Sequence, residues 1–160
     1  MTRRSRAREV ALQVLYQEDL NPLPDHARSD AFVAARLCPE LTPEEIVGQG
    51  LSREQVQLLR LRGQELVDLA QSLVNGVRRN QTELDSLLSR TADNWSLERM
   101  AATDRNVLRL GAYEILYTAT PGRVAINEAV ELAKRFGTAH SAQFVNGILD
   151  RFLAGHAGNK

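Results

Sequence analysis

The densest run of apolar positions is residues 104–117, where Val107, Leu108, Leu110, Gly111, Ala112, Ile115, Leu116 and Tyr117 recur with little polar relief. Wound at about 100° per residue, these side chains cover most of a helix's circumference, whereas a surface helix keeps its apolar residues to one stripe. Such a helix must be covered on several sides, and the remaining chain has to supply its packing partners. Gly111 points the same way, because a mid-helix glycine costs about 1 kcal/mol against alanine and is kept where another segment comes close. The polar exceptions are Asp104, Arg105, Asn106, Arg109 and Glu114, with Arg105 and Arg109 four apart on one edge.

Upstream, Ala7, Val10, Ala11, Val14 and Leu15 have helical spacing within residues 3–20, and Asn21-Pro22-Leu23-Pro24 stops that helix. Residues 25–50 have weak periodicity and read as a surface excursion. It holds a short helix around 29–37 and another that starts at Thr42-Pro43-Glu44-Glu45, a capping box with proline in the first turn, and closes at Gly48 and Gly50. Ser52 and Gln55 form a second capping box. From there Val56, Leu59, Leu66, Leu69, Ala70, Leu73, Val74 and Val77 sustain a long amphipathic helix to about residue 79, and Leu84, Leu87 and Leu88 add a further turn or two.

After the Ala92-Asp93-Asn94 loop, Trp95, Leu97 and Met100 lead into the apolar helix, which Pro121-Gly122 ends. Residues 125–136 are helical and closed by Gly137, and Ser141 can cap a last helix through Phe144, Val145, Ile148, Leu149 and Phe152. No convincing strand is present, so the class is all-α. The whole of 1–160 reads as one domain: a subdomain at 1–92 with an acidic insertion at 22–50, a second at 93–155, and a tail at 156–160. Val74-Asn75-Gly76 and Val145-Asn146-Gly147 echo each other. Either this is coincidence, or each glycine marks a close helix crossing, which would make Gly147 architectural.

At 160 residues, 43% apolar and 25% charged, the composition is that of a soluble globular domain. The single cysteine, Cys38, excludes an internal disulfide and suits a reducing cytoplasm. No apolar run approaches a membrane span, and no signal-peptide core follows Met1, so a cytoplasmic location is expected. Net charge is zero but unevenly placed. Arg3, Arg4, Arg6 and Arg8 precede any acid, whereas Asp25, Asp30, Glu40, Glu44, Glu45 and Glu54 make the following stretch acidic.

Little of this is catalytic chemistry. Gly48-Gln49-Gly50 has no third glycine and follows no strand, so it fails as a dinucleotide fingerprint. His26, His140 and His156 are scattered without metal-ligand spacing. Glu44 and Glu45 suit a helix start, and Glu128 and Glu131, with Lys134 and Arg135 one turn on, are explained by pairing as well as by function. No catalytic, metal or cofactor site is implied. The basic amino terminus differs: its arginines can neutralise phosphates while Tyr16, on the same helix as Gln13 and Gln17, offers a ring to an unpaired base. A solvated surface helix explains those charges too.

Taken together, Arg6-Ala7-Arg8-Glu9 with Gln13-Val14-Leu15-Tyr16, Leu108-Arg109 with Tyr113-Glu114, the run Val124-Ala125-Ile126-Asn127-Glu128-Ala129-Val130-Glu131-Leu132-Ala133-Lys134, and Phe144-Val145-Asn146-Gly147-Ile148-Leu149-Asp150 resemble the bacterial NusB family of transcription antitermination factors. The blocks stand in the family's order, whereas residues 22–50 lie outside the resemblance. It implies two small helical bundles around a central helix and no enzymatic activity. It further implies binding of boxA-type single-stranded RNA with NusE, a ribosomal small-subunit protein, on RNA polymerase during rRNA synthesis. The RNA contacts it implies are Arg3, Arg4, Arg6, Arg8 and Tyr16 on the first helix, and Lys134, Phe136 and Phe144 around the 137–143 loop. Glu98, Asp104 and Arg105 would meet NusE. His140 and its neighbours lack the acids associated with that loop, and Gln143 stands where lysine is common. Alternative roles are a protein-only adaptor and an accessory domain like those fronting certain rRNA cytosine methyltransferases, although the chain has no cofactor loop or catalytic cysteine motif.

Overall fold

The computed structural model describes residues 2–93 and 95–156, and every regular element among them is helical. Seven α-helices follow one another: α1 (Arg3–Leu20), α2 (His26–Leu37), α3 (Pro43–Gly48), α4 (Arg53–Thr91), α5 (Ala102–Tyr117), α6 (Gly122–Phe136) and α7 (Ser141–Gly155). A 3-10 turn at Leu97–Arg99 leads into α5. Asn94 and most of the tail, residues 157–160, fall outside the described residues.

α5 is the helix that its apolar circumference predicts, packed against α1, α4, α6 and α7. Its Val107, Leu108, Leu110, Ala112 and Ile115 are all buried. On one side α1, α2 and α4 pack together, and on the other α6 packs with α7, while the buried side chains form a single cluster across both. The boundary drawn at residue 92 falls just past α4, where Ala92 follows the last helical residue, Thr91.

Local chemistry sets the helix starts. Thr42 and Ser52 each accept a hydrogen bond from the backbone N–H three residues on, and Glu45 and Gln55 reach back to the N–H of the capping residue, so both capping boxes close. Other details depart from the periodicity. α4 runs unbroken for 39 residues rather than ending near residue 79. Leu84 and Leu88, fully buried, carry its apolar face onward, so no turn is needed. Residues 25–50 are only half an excursion, because α2 places Val33 and Leu37 in the core, four apart on one face, whereas α3 buries nothing. Ser141 does not cap α7. It is the first helical residue, and its hydroxyl accepts from the Thr138 N–H at 2.9 Å, closing the preceding loop.

The two Val-Asn-Gly sequences separate in the structure. A Cβ added to Gly76 would stand 2.1 Å from Tyr113 Cζ, so the ring tip of Tyr113 from α5 rests on that glycine of α4. At Gly147 nothing lies within 4 Å, which overturns the architectural role expected for it. Gly147→Ala should therefore raise stability by up to about 1 kcal/mol through helix propensity. Gly76→Ala should instead lower it, since overpacking costs about 1–3 kcal/mol. Urea denaturation of both variants checks the pair, and a destabilised Gly147→Ala beside a neutral Gly76→Ala would reverse the assignment.

Candidate nucleic-acid interface

α1 and α6 are joined along a polar seam. Ser5 Oγ lies 2.9 and 2.8 Å from Glu128 Oε1 and Oε2, Arg8 Nη1 stands 3.8 Å from Glu128, and Arg135 pairs with Glu9 at 3.4 Å. Glu128 thus has a structural partner, as its helical position allowed. The seam holds the carboxyl end of α6 beside α1, and there Phe136 and Tyr16 line one groove of about 670 Å³. Leu12, Gln13, Gln17 and Leu20 from α1 complete one side, with Thr103 from the start of α5.

Both rings are available: Tyr16 is 40% exposed and Phe136 37%. The Arg135 guanidinium lies 5.7 Å from the centre of the Phe136 ring. Gln13 and Gln17 also line the groove, and the Oε1 of Gln13 is enclosed with no hydrogen-bond partner among the described residues. Aromatic faces flanked by amides offer stacking together with hydrogen bonds to base edges. The signal for Gln13 and Gln17 was present in the sequence, four apart and flanking Tyr16. Thr103 was not legible, because only the packing of α5 on α1 brings it there.

The four arginines divide. At about 100° per residue Arg6 falls on the arc of Gln13, Tyr16 and Gln17, whereas Arg3 and Arg4 lie toward α4, where both line a different groove. Arg8 corrects the expectation outright: it is 3% exposed. Its Nε and Nη2 donate to Glu114 Oε2 and Oε1 at 2.8 and 2.9 Å, so the guanidinium is committed inside the fold and is not a surface phosphate contact. Burial works against its charge, but the hydrogen bond and negative charge of Glu114, with Glu128 beyond, raise its pKa further.

Lys134 is exposed and 3.4 Å from Glu131. Phe144 is half-buried and sets its ring edge-on to Trp95, 5.2 Å between centres, apart from the residues lining the groove. Of the residues expected to meet a protein partner, Glu98 is exposed on the 3-10 turn. Asp104 is half-buried, with Oδ1 enclosed and lacking a hydrogen-bond partner among the described residues.

Arg105 is held internally. Nε donates to Asp19 at 2.8 Å, and Nη1 donates to the carbonyls of Leu97 and Met100. Asp19 also accepts from Asn106 and faces Arg109, which forms a two-pronged bond to Asp85. Burial alone would raise the Asp19 pKa, but Arg105, Asn106 and Arg109 hold it below the usual carboxylate range. Arg105 therefore fixes α5 to α1, a structural role beside the partner contact that the resemblance implied.

No group of histidine, cysteine or carboxylate side chains suited to a metal occurs among the described residues, and none of their helices is long and apolar enough to cross a membrane.

The model of the NusB family matches residues 5–154, a span that includes 22–50. The transcription antitermination protein NusB of Anaeromyxobacter dehalogenans is 41% identical over 154 residues, covering 96% of this chain and 92% of its own. That of Symbiobacterium thermophilum is 41% identical over 159 residues, covering 97% and 92%. The solved structure of T. maritima NusB superposes with a TM-score of 0.66 at 34% identity, over 98% of this chain and 94% of that one. A second similar structure, of antitermination factors NusB and NusE in complex with dsRNA, gives 0.67 at 24% identity over 97% and 98%, and speaks for the fold alone. A central helix walled by α1, α4, α6 and α7, and near-full-length matches on this scale, have one reading: the chain belongs to the NusB family.

Proposed function

We propose that this chain is a cytoplasmic transcription antitermination factor that binds boxA-type single-stranded RNA together with NusE, and joins RNA polymerase during rRNA synthesis. The curated relatives carry the antitermination name, which supports the same role here. The observation that carries the RNA reading is that Tyr16 and Phe136 line one groove together with the amide residues Gln13 and Gln17. Arg6, on the same arc of α1, and Lys134, near the end of α6, supply phosphate contacts in this reading. Phe144, whose ring stands edge-on to Trp95, is a further RNA contact beside the 137–143 loop in this reading. Glu98 and Asp104 remain the candidate NusE surface, where carboxylates suit a basic ribosomal protein.

The test is a salt titration of a boxA-type RNA, followed by fluorescence anisotropy with and without NusE. Affinity should rise when NusE is added and fall with salt. Arg6→Ala should reduce the logarithmic salt slope by about 0.7, the value of one phosphate contact on a single strand. NusE binding that persists while RNA affinity is absent under both conditions would establish the protein-only adaptor instead.

A further inference from the structure

Beside the first half of α4 lies a second groove, of about 410 Å³, distinct from the aromatic one. Its floor is wholly aliphatic, built by Leu58, Leu61, Leu66 and Leu69. Leu58 is 44% exposed and Leu61 57%, while Leu66 and Leu69 are half-buried against the core, so the floor opens to solvent toward the start of α4. Leu58 to Leu69 spans about 16 Å of helix axis, three turns at 1.5 Å per residue. Around this floor stand Arg3, Arg4 and Arg62, with Glu65 the one acid in the lining. None of those three arginines has a hydrogen bond or ion pair among the described residues, unlike Arg8, Arg78, Arg105 and Arg109, each held by a carboxylate.

We propose that this groove docks an acidic amphipathic helix from a partner protein, with apolar side chains seated on the leucines and carboxylates on the arginines. An aliphatic floor flanked by unpaired cations is complementary to a helix that is leucine-rich on one face and acidic at its edges. A leucine stripe three turns long, open to solvent at Leu58 and Leu61 and half-buried at Leu66 and Leu69, suits packing of one helix's ridges into another's groove. The arginine forks match carboxylate geometry. RNA fits less well, because the floor offers no aromatic ring on which a base could stack. The site stands independently of the RNA reading, since Arg62 and the leucines lie outside the aromatic groove.

The test uses the full chain and three labelled probes. One is a synthetic helical peptide of about 18 residues, with leucines at helical spacing on one face and glutamates on the flanks; the others are its scrambled isomer and a uridine-rich RNA oligonucleotide. The patterned peptide should bind at least about tenfold more tightly than the scrambled one. Leu61→Glu and Arg62→Glu should each weaken it by about tenfold or more, with RNA affinity unchanged. Both positions are exposed, so unchanged melting curves should accompany those losses. Equal binding of the scrambled peptide, or indifference of both variants, overturns the proposal. So does loss of RNA rather than peptide on Arg62→Glu, which would make the groove a phosphate site. Sedimentation provides the remaining outcome: self-association abolished by Leu61→Glu would mean that a second copy, presenting its own acidic residues 25–54, is the occupant, and the proposal falls.

Discussion

Arg8→Ala should destabilise the fold by about 3–5 kcal/mol while leaving the RNA affinity of the remaining folded chain intact. Both partners of the Arg8–Glu114 pair are enclosed, with side-chain exposures of 4% and 3%. Truncating the arginine takes its two-pronged partner from the Glu114 carboxylate, buried in the last turn of α5, and the cost is the weaker compensation of that charge more than the lost attraction. For a chain of this length each kcal/mol moves the melting temperature by about 2–4 °C, so a fall of about 6–20 °C is the thermal readout. Arg8→Met combined with Glu114→Leu should recover much of the loss, because removing both charges leaves none unpaired. A single variant that melts normally but binds RNA poorly would return Arg8 to the surface role that its neighbours suggested.

That role was attractive because charge is legible in sequence and burial is less so. Arg8 lies between Leu15 and Leu12 on the helical wheel, inside the apolar arc of α1, and Arg6 lies outside it. The wheel therefore contained the distinction. Its confirmation needed Glu114, a residue 106 positions away whose polar place in an apolar helix was visible but whose partner was not. The same limit applies to Arg105 and Arg109: their four-residue spacing was plain, whereas Asp19 and Asp85 meet them only after α1, α4 and α5 have packed.

Local rules carried further where the relevant atoms are neighbours in sequence. The capping boxes at Thr42 and Ser52 and the start and stop of α1 follow from residues within one turn. Glycine was the opposite case. Gly76 and Gly147 share a Val-Asn-Gly sequence, yet only Gly76 faces Tyr113, because whether a missing Cβ matters depends on the helix across from it. Tyr16 was identifiable as an exposed ring on a basic helix. Its pairing with Phe136 depends on the seam of Ser5, Arg8 and Glu9 against Glu128 and Arg135, which no periodicity encodes.

If that pairing is the base-binding element, Tyr16→Ala and Phe136→Ala should each cost about 1–3 kcal/mol of RNA affinity, the usual worth of a stacked base. Tyr16→Phe should keep most of it, since the ring face and not the hydroxyl makes the contact. Phe136→Leu should not, because a leucine fills the space without offering a π-face. The double alanine variant then distinguishes two arrangements. Rings that clamp one base act as a unit, and their losses fall short of additive; rings that each hold a separate base give losses that sum. Both side chains are more than one-third exposed, so melting temperatures should change little. Large thermal losses with unchanged RNA affinity would show that Tyr16 and Phe136 serve the packing of α1 against α6, and that the groove between them is not where RNA binds.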